Sequence, residues 1–166
     1  DFEASDAADR IDVPAFDLTG SGASLSAWIN VENGYSDSRI IIKSDGNSAA
    51  DQVWGLTVAS ATRLDFRIRA GSTWNQLDTA NGAITPGTWH HVAGTYDGTT
   101  MRVYIDGAEV TSAAHTVGGD VDVDPAAPIT MGDSPVGSRT FDGILDDVRV
   151  FNRPLCAAEI QQIFDA

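Results

Sequence analysis

The sequence predicts an all-β protein: a two-sheet sandwich with one short C-terminal helix. Three observations point there. Apolar and polar residues alternate with period two in stretch after stretch, the pattern of a strand with one buried face. Sixteen glycines and six prolines interrupt these stretches at short intervals, as tight antiparallel connections require. Helical spacing occurs once, near the end of the chain, and many short strands with a single terminal helix make a sandwich.

Strands are expected at residues 10–13, 25–31, 39–43 and 53–58. The clearest follows at 63–69, where Leu64, Phe66 and Ile68 point one way and Arg63, Asp65, Arg67 and Arg69 the other. Residues 89–96 form the next strand and 101–105 another, with Met101, Val103 and Ile105 alternating against Arg102 and Tyr104. Asp97-Gly98 and Asp106-Gly107 frame that run, and both dipeptides tolerate the positive φ of hairpin turns. Residues 129–131 and 144–151 complete the set. Ala157, Ile160, Ile163 and Phe164 then share one helical face behind Pro154, a tolerated place for proline.

With 166 residues, 42% hydrophobic and 8% aromatic, the chain has material for one core and too much of it for disorder. One domain spanning residues 1–166, excised from a larger secreted protein, is the expectation. The formal net charge of −14 argues against nucleic acid and anionic membranes as partners. Twenty of the 24 acids are Asp, the acid of turns, caps and hard-cation sites. Cys156 is the only cysteine, which excludes an internal disulfide and a thiolate zinc cage. No stretch approaches the roughly 20 apolar residues of a membrane span, so no membrane insertion is expected.

Three stretches carry a resemblance. They are Phe2-Glu3-Ala4-Ser5-Asp6 leading to Ile11-Asp12-Val13, the central GTWHHVAGTYDGTTMRVYIDG from Gly87 to Gly107, and FDGILDDVRVFNRPLCAAEIQQIF from Phe141 to Phe164. Together they resemble the laminin-G-like (LamG-like, concanavalin A-like) domains of secreted bacterial proteins, in order and spacing across nearly the whole chain. The resemblance implies a jelly-roll sandwich of two antiparallel sheets, in an extracellular or cell-surface module with a structural calcium ion; a monomer is expected. It also implies catalytic or surface-protein domains in the same parent chain. Glu3-Ala4 stands where that family often has Asp-Gly, and Cys156 where Ser or Thr is usual.

Asp146 has the parity of Ile144, Val148 and Val150, which puts its carboxylate on the apolar face, where it needs a cation or several donors. The resemblance favours calcium there. First and last strands of such sandwiches run side by side, so Glu3 and Asp6 are expected to approach Asp146, with Asp45 of the Lys43-Ser44-Asp45-Gly46 turn a further oxygen source. The alternative is that Asp146 bonds only backbone amides. Asp120, Asp122 and Asp124 resemble half an EF-hand loop but run into Pro125, and read as an exposed loop.

Catalysis finds no support. Retaining glucanases of this architecture carry Glu-x-Asp-x-Glu on one strand, and no two of Glu3, Glu32, Glu109 and Glu159 lie within four positions. His90, His91 and His115 lack zinc spacing, and no Gly-x-Ser-x-Gly elbow is present. A carbohydrate site needs an aromatic platform with polar groups beside it. Trp54 and Trp89 read as core and Trp28 as structural, whereas Trp74 shares parity with Gln76 and Asp78 and follows the loop Ala70-Gly71-Ser72-Thr73. Trp74 with Arg67, Arg69 and Gln76 is therefore the candidate site. Arginine forks suit carboxylates and sulfates, so an acidic polysaccharide is conceivable, unless Arg67 and Arg69 pair with Asp65 and other surface acids. A loop site of Tyr35, Asp37 and Arg139 is also open. The reading is a non-catalytic carbohydrate-binding module, with an adhesion or spacer domain of a surface protein as its rival.

Overall fold

The computed structural model describes residues 2–3, 9–33, 37–60 and 62–166. Eleven strands and a helix are present among them: β1 Ile11–Val13, β2 Ala23–Val31, β3 Ser38–Ser44, β4 Gln52–Ser60, β5 Arg63–Ala70, β6 Thr73–Asp78, β7 Trp89–Tyr96, β8 Thr100–Ile105, β9 Ala108–Ala114, β10 Ile129–Met131, β11 Gly143–Phe151 and α1 Ala157–Phe164. They form two antiparallel sheets, one in the order β1-β10-β3-β4-β5-β6 and the other β11-β2-β7-β8-β9. The two-sheet sandwich expected from the alternation, and the jelly roll that the resemblance implies, are the observed architecture. No helix among the described residues is long and apolar enough to cross a membrane.

The core lies between the sheets. Leu64, Phe66 and Ile68 of β5, with Trp54, Leu56 and Val58 of β4, meet Leu25, Ala27 and Ile29 of β2 and Val92, Tyr96 and Val103 of β7 and β8. The sheets come close together at Gly94: a Cβ there would stand 2.3 Å from Cδ2 of Phe66. Lys43, the only lysine of the chain, is enclosed at one end of the core, its Nζ donating to the Ala127 carbonyl at 2.9 Å and lying 3.4 Å from Asp17 Oδ1.

A second, smaller apolar cluster sits on the outer face of the five-stranded sheet. There Ala93 and Tyr104, register partners on β7 and β8, receive Leu155 and Ile160. Ile160, Ile163 and Phe164 pack inward as their spacing predicts, while Ala157 is exposed. Cys156 N–H donates to Glu159 Oε2 at 2.9 Å, closing the first turn of α1. Phe164 stacks on Trp28, with ring centroids 5.6 Å apart, so Trp28 is structural as expected.

His91 is buried against both of those rings, and among the described residues neither of its ring nitrogens has a hydrogen-bond partner. Burial foremost pushes its pKa below the usual imidazole value; Asp106 and Asp147 oppose and Arg149 assists. A depressed folded-state pKa means that the stability linked to neutral His91 is fully present above about pH 6.5. It is lost as pH falls through the folded value, because the unfolded chain takes up the proton first. His91→Met should therefore lose less stability than the wild type when urea midpoints are compared at pH 7.5 and 5.5. Equal losses would remove His91 as the cause.

Two expectations about the outer face change. Trp89 is 41% exposed: its register partner is Asn30 and it shares the outward parity of His91, so it lies outside the core. Asp146 is likewise exposed. The register of β11 on β2 slips between Asp146, opposite Trp28, and Arg149, opposite Ser26, with Asp147 at φ 51°. That bulge reverses the parity, so Leu145, Val148 and Val150 pack on the core while Asp146 faces out.

Candidate functional site

The outer face of the six-stranded sheet is built by β5 and its partner β6. With Leu64, Phe66 and Ile68 committed to the core, Asp65, Arg67 and Arg69 must point the other way. The β5–β6 register sets Asp78 opposite Asp65, Gln76 opposite Arg67 and Trp74 opposite Arg69. Trp74 is half-buried and lines a cleft of about 890 Å³ together with Arg69, Ser72, Asp120, Asp122 and Val123. The run from Asp120 is held against the sheet: Val121 bridges Ala70, Asp122 N–H donates to the Arg69 carbonyl at 2.9 Å, and Ser72 N–H donates to Asp122 Oδ2 at 3.1 Å. The segment read as an exposed acidic loop is thus a wall of the cleft, although Asp120 itself is exposed.

The arginines are spoken for. Arg69 Nη1 donates to the Ala50 carbonyl at 2.9 Å, its Nε lies 3.2 Å from Asp122 Oδ2, and its Nη2 is 3.5 Å from Asp124 Oδ2. Arg67 is only 5% exposed. It grips Asp65 with two donors at 2.9 and 2.8 Å, reaches Gln52 Oε1 at 2.9 Å and touches Asp37. Burial alone would lower the Arg67 pKa, but Asp65 and then Asp37 raise it, so it stays a cation. Burial pushes the Asp65 carboxyl up, against Arg67 and Thr57, which favour its ionised form. Of the four residues chosen from sequence, Trp74 and Arg69 share the cleft. Gln76 adjoins it, donating to Asp78 Oδ1 at 2.8 Å, and Arg67 is withdrawn into an ion-pair network, as the alternative reading had it.

The loop site takes shape in part. Tyr35 lies outside the described residues, but Asp37 and Arg139 meet, with Arg139 Nε 3.1 Å from Asp37 Oδ2. Arg39, which sequence reasoning did not single out, joins them through its Nη1 contact to Asp37. Its outward direction is set by a bulge at Ile40, since Arg39 faces Thr57 while Ile41 faces Leu56. No local signal in the sequence marks that bulge.

The acids chosen for calcium do not converge. Glu3 and Asp146 are exposed, the latter with its Oδ1 accepting Asp147 N–H at 2.8 Å. Asp45, also exposed, lies past the end of β3, four residues beyond Ile41, or roughly 13 Å along the strand, whereas Ile41's neighbour Met131 pairs with Ile11 beside the Phe2 end. Asp6 lies outside the described residues. Among the described residues no three His, Cys, Asp or Glu side chains stand together as a metal site. One buried acid of this region is Asp133, satisfied by Ser134 N–H, Arg139 N–H and Thr140 Oγ1 at 2.6, 2.7 and 3.2 Å. Asp45 therefore stands apart from Glu3 and Asp146.

Two of the three histidines have structural partners. Thr85 N–H donates to His90 Nε2 at 3.1 Å, so Nδ1 carries the proton that meets Asp106 Oδ2 at 2.8 Å. His115 Nδ1 accepts from Val117 and Gly118 N–H at 3.3 and 3.1 Å.

Two antiparallel sheets enclosing one core, a helix laid on the outer face of one and a cleft against the outer face of the other define a laminin-G-like β-sandwich. The chain belongs to the concanavalin A-like lectin/glucanases superfamily, whose Laminin_G_3 family model matches residues 5–161. It is 26% identical over 145 residues to adhesion G-protein coupled receptor V1 of Danio rerio, covering 84% of this chain. It is 48% identical over 40 residues to pappalysin-1 of Mus musculus, covering 24%. The chain spans about 2% of the length of each. Among solved structures it is similar to the CBM40 of Ruminococcus gnavus IT-sialidase bound to α2,3-sialyllactose, with a TM-score of 0.72, 12% identity, and 93% and 97% of the two chains covered. Domain 4 of AbnA, an extracellular GH43 arabinanase from Geobacillus stearothermophilus in complex with arabinotriose, gives 0.67 at 20% identity, covering 93% of this chain and 71% of the other.

Proposed function

We propose that this chain is a non-catalytic carbohydrate-binding module, carried in a larger protein outside the cell, and that its glycan enters the cleft beside Trp74. The observation that carries the reading is the pairing of a half-buried indole with Arg69 at the edge of a cleft of about 890 Å³. An aromatic face supplies apolar contact to a sugar ring, and the exposed carboxylate of Asp120 can accept from hydroxyls. Two similar structures whose descriptions name a bound saccharide support the same reading.

A broad glycan array followed by calorimetry tests it. Trp74→Ala should weaken the best glycan by about 30-fold, the loss of one aromatic hot spot of roughly 2 kcal/mol, with the unfolding midpoint nearly unchanged. Unaltered affinity in that variant would exclude the cleft as the site. A blank array would favour adhesion through protein contacts, the rival that the likeness to an adhesion receptor supports.

A further inference from the structure

Two residues along β5 from Arg69, on the same outward face, the guanidinium groups of Arg39, Arg67 and Arg139 gather on one carboxylate, that of Asp37. With Asp65 included, three cations face two anions, in a chain whose net charge is −14. The cluster is not saturated. Arg39 is 0% exposed, yet among the described residues its Nε and Nη2 have no hydrogen-bond partner, and Arg139 Nε touches Asp37 without a directed hydrogen bond. Burial foremost, and then the charge of Arg67, lower the Arg39 pKa to about 10. Buried donors left unpaired are costly. The two anions also differ in their hold. Asp65 is fully buried and accepts from both Thr57 and Arg67, whereas the Asp37 side chain is 26% exposed, on a residue at φ 68° just ahead of β3, beside Arg139 at 35%.

We propose that this cluster is an oxyanion subsite: the carboxylate or sulfate ester of an acidic saccharide displaces Asp37 and is held by Arg39, Arg67 and Arg139. Asp37 is the internal stand-in that neutralises the site when it is empty. Guanidinium forks are shaped for these groups, and an incoming oxyanion offers acceptors to the Arg39 donors that Asp37 leaves unpaired. The assignment to a saccharide rests on the carbohydrate reading above; the anion chemistry does not.

The test uses the whole chain labelled with 15N, following arginine Nε–Hε signals while sodium sulfate or sodium galacturonate is added against chloride at constant ionic strength. Saturable shifts confined to Arg39, Arg67 and Arg139 are expected, with exposed Arg153 unaffected. Asp37→Asn should tighten sulfate binding roughly tenfold by removing the internal competitor, and Arg139→Gln should weaken it roughly tenfold. Non-saturating drift shared by all nine arginines, or the same affinity in both variants as in the wild type, would overturn the subsite. The wild-type titration decides even if a variant fails to fold. Neutral glycans lost on Trp74→Ala, with no confined sulfate response, would leave the module standing and remove the subsite. A confined sulfate response beside a blank array would do the reverse.

Discussion

Asp65→Ala is expected to lower the unfolding free energy by about 3 kcal/mol or more, read from urea midpoints at pH 7. Arg67 would lose both of its hydrogen bonds to Asp65, at 2.9 and 2.8 Å, while remaining almost wholly buried. Leaving one partner of a buried pair behind typically costs 3–5 kcal/mol. Gln52 and Asp37 still reach Arg67, which places the expectation at the lower end. Replacing both partners at once, as Asp65→Leu with Arg67→Met, should recover most of the loss, because no charge is then stranded. A loss below about 1 kcal/mol for Asp65→Ala would mean that the network is wet and replaceable.

Gly94→Ala should cost about 2–3 kcal/mol, although alanine is ordinarily a better strand residue than glycine. The new methyl group would stand 2.3 Å from Cδ2, 2.4 Å from Cγ and 2.9 Å from Cβ of Phe66. The last atom is fixed to the backbone, so rotating the ring gives no escape. Phe66→Leu in the same chain should recover part of the loss, and the cycle of single and double variants measures the coupling. Strict additivity, or a neutral Gly94→Ala, would show that the two sheets are farther apart at this point.

The alternation of β5 was legible because one face is uniformly apolar and the other uniformly charged. β6 and β9 were not foreseen. β6 buries little beyond Leu77, and β9 reads Ala-Glu-Val-Thr-Ser-Ala-Ala with almost every residue exposed. Both are edge strands defined by their pairing rather than by a buried stripe. Parity gave the wrong face for Asp146 because it was counted through a bulge at Asp147, a position with no glycine to mark it. Trp89 reads as core because the resemblance puts it in the family's core strand, whereas its register puts it outside. Arg67 faces the direction expected, but a sequence does not reveal that Asp37, 30 residues earlier, closes over it. Trp74 was found because its own parity matched Gln76 and Asp78, a pattern contained within six residues.

Lys43 bears on how the folded chain would meet a reducing sugar. Reducing sugars in their open-chain form condense with free side-chain amines, and a neutral, accessible lysine is the usual victim. Here the sole lysine amine is enclosed and bonded to a backbone carbonyl, and every other basic side chain except histidine is a guanidinium. The folded surface can meet aldehydes through ion pairs and stacking without offering a lysine side chain for a Schiff base, so prolonged contact with its surroundings leaves the outer face of the sheet free of lysine glycation.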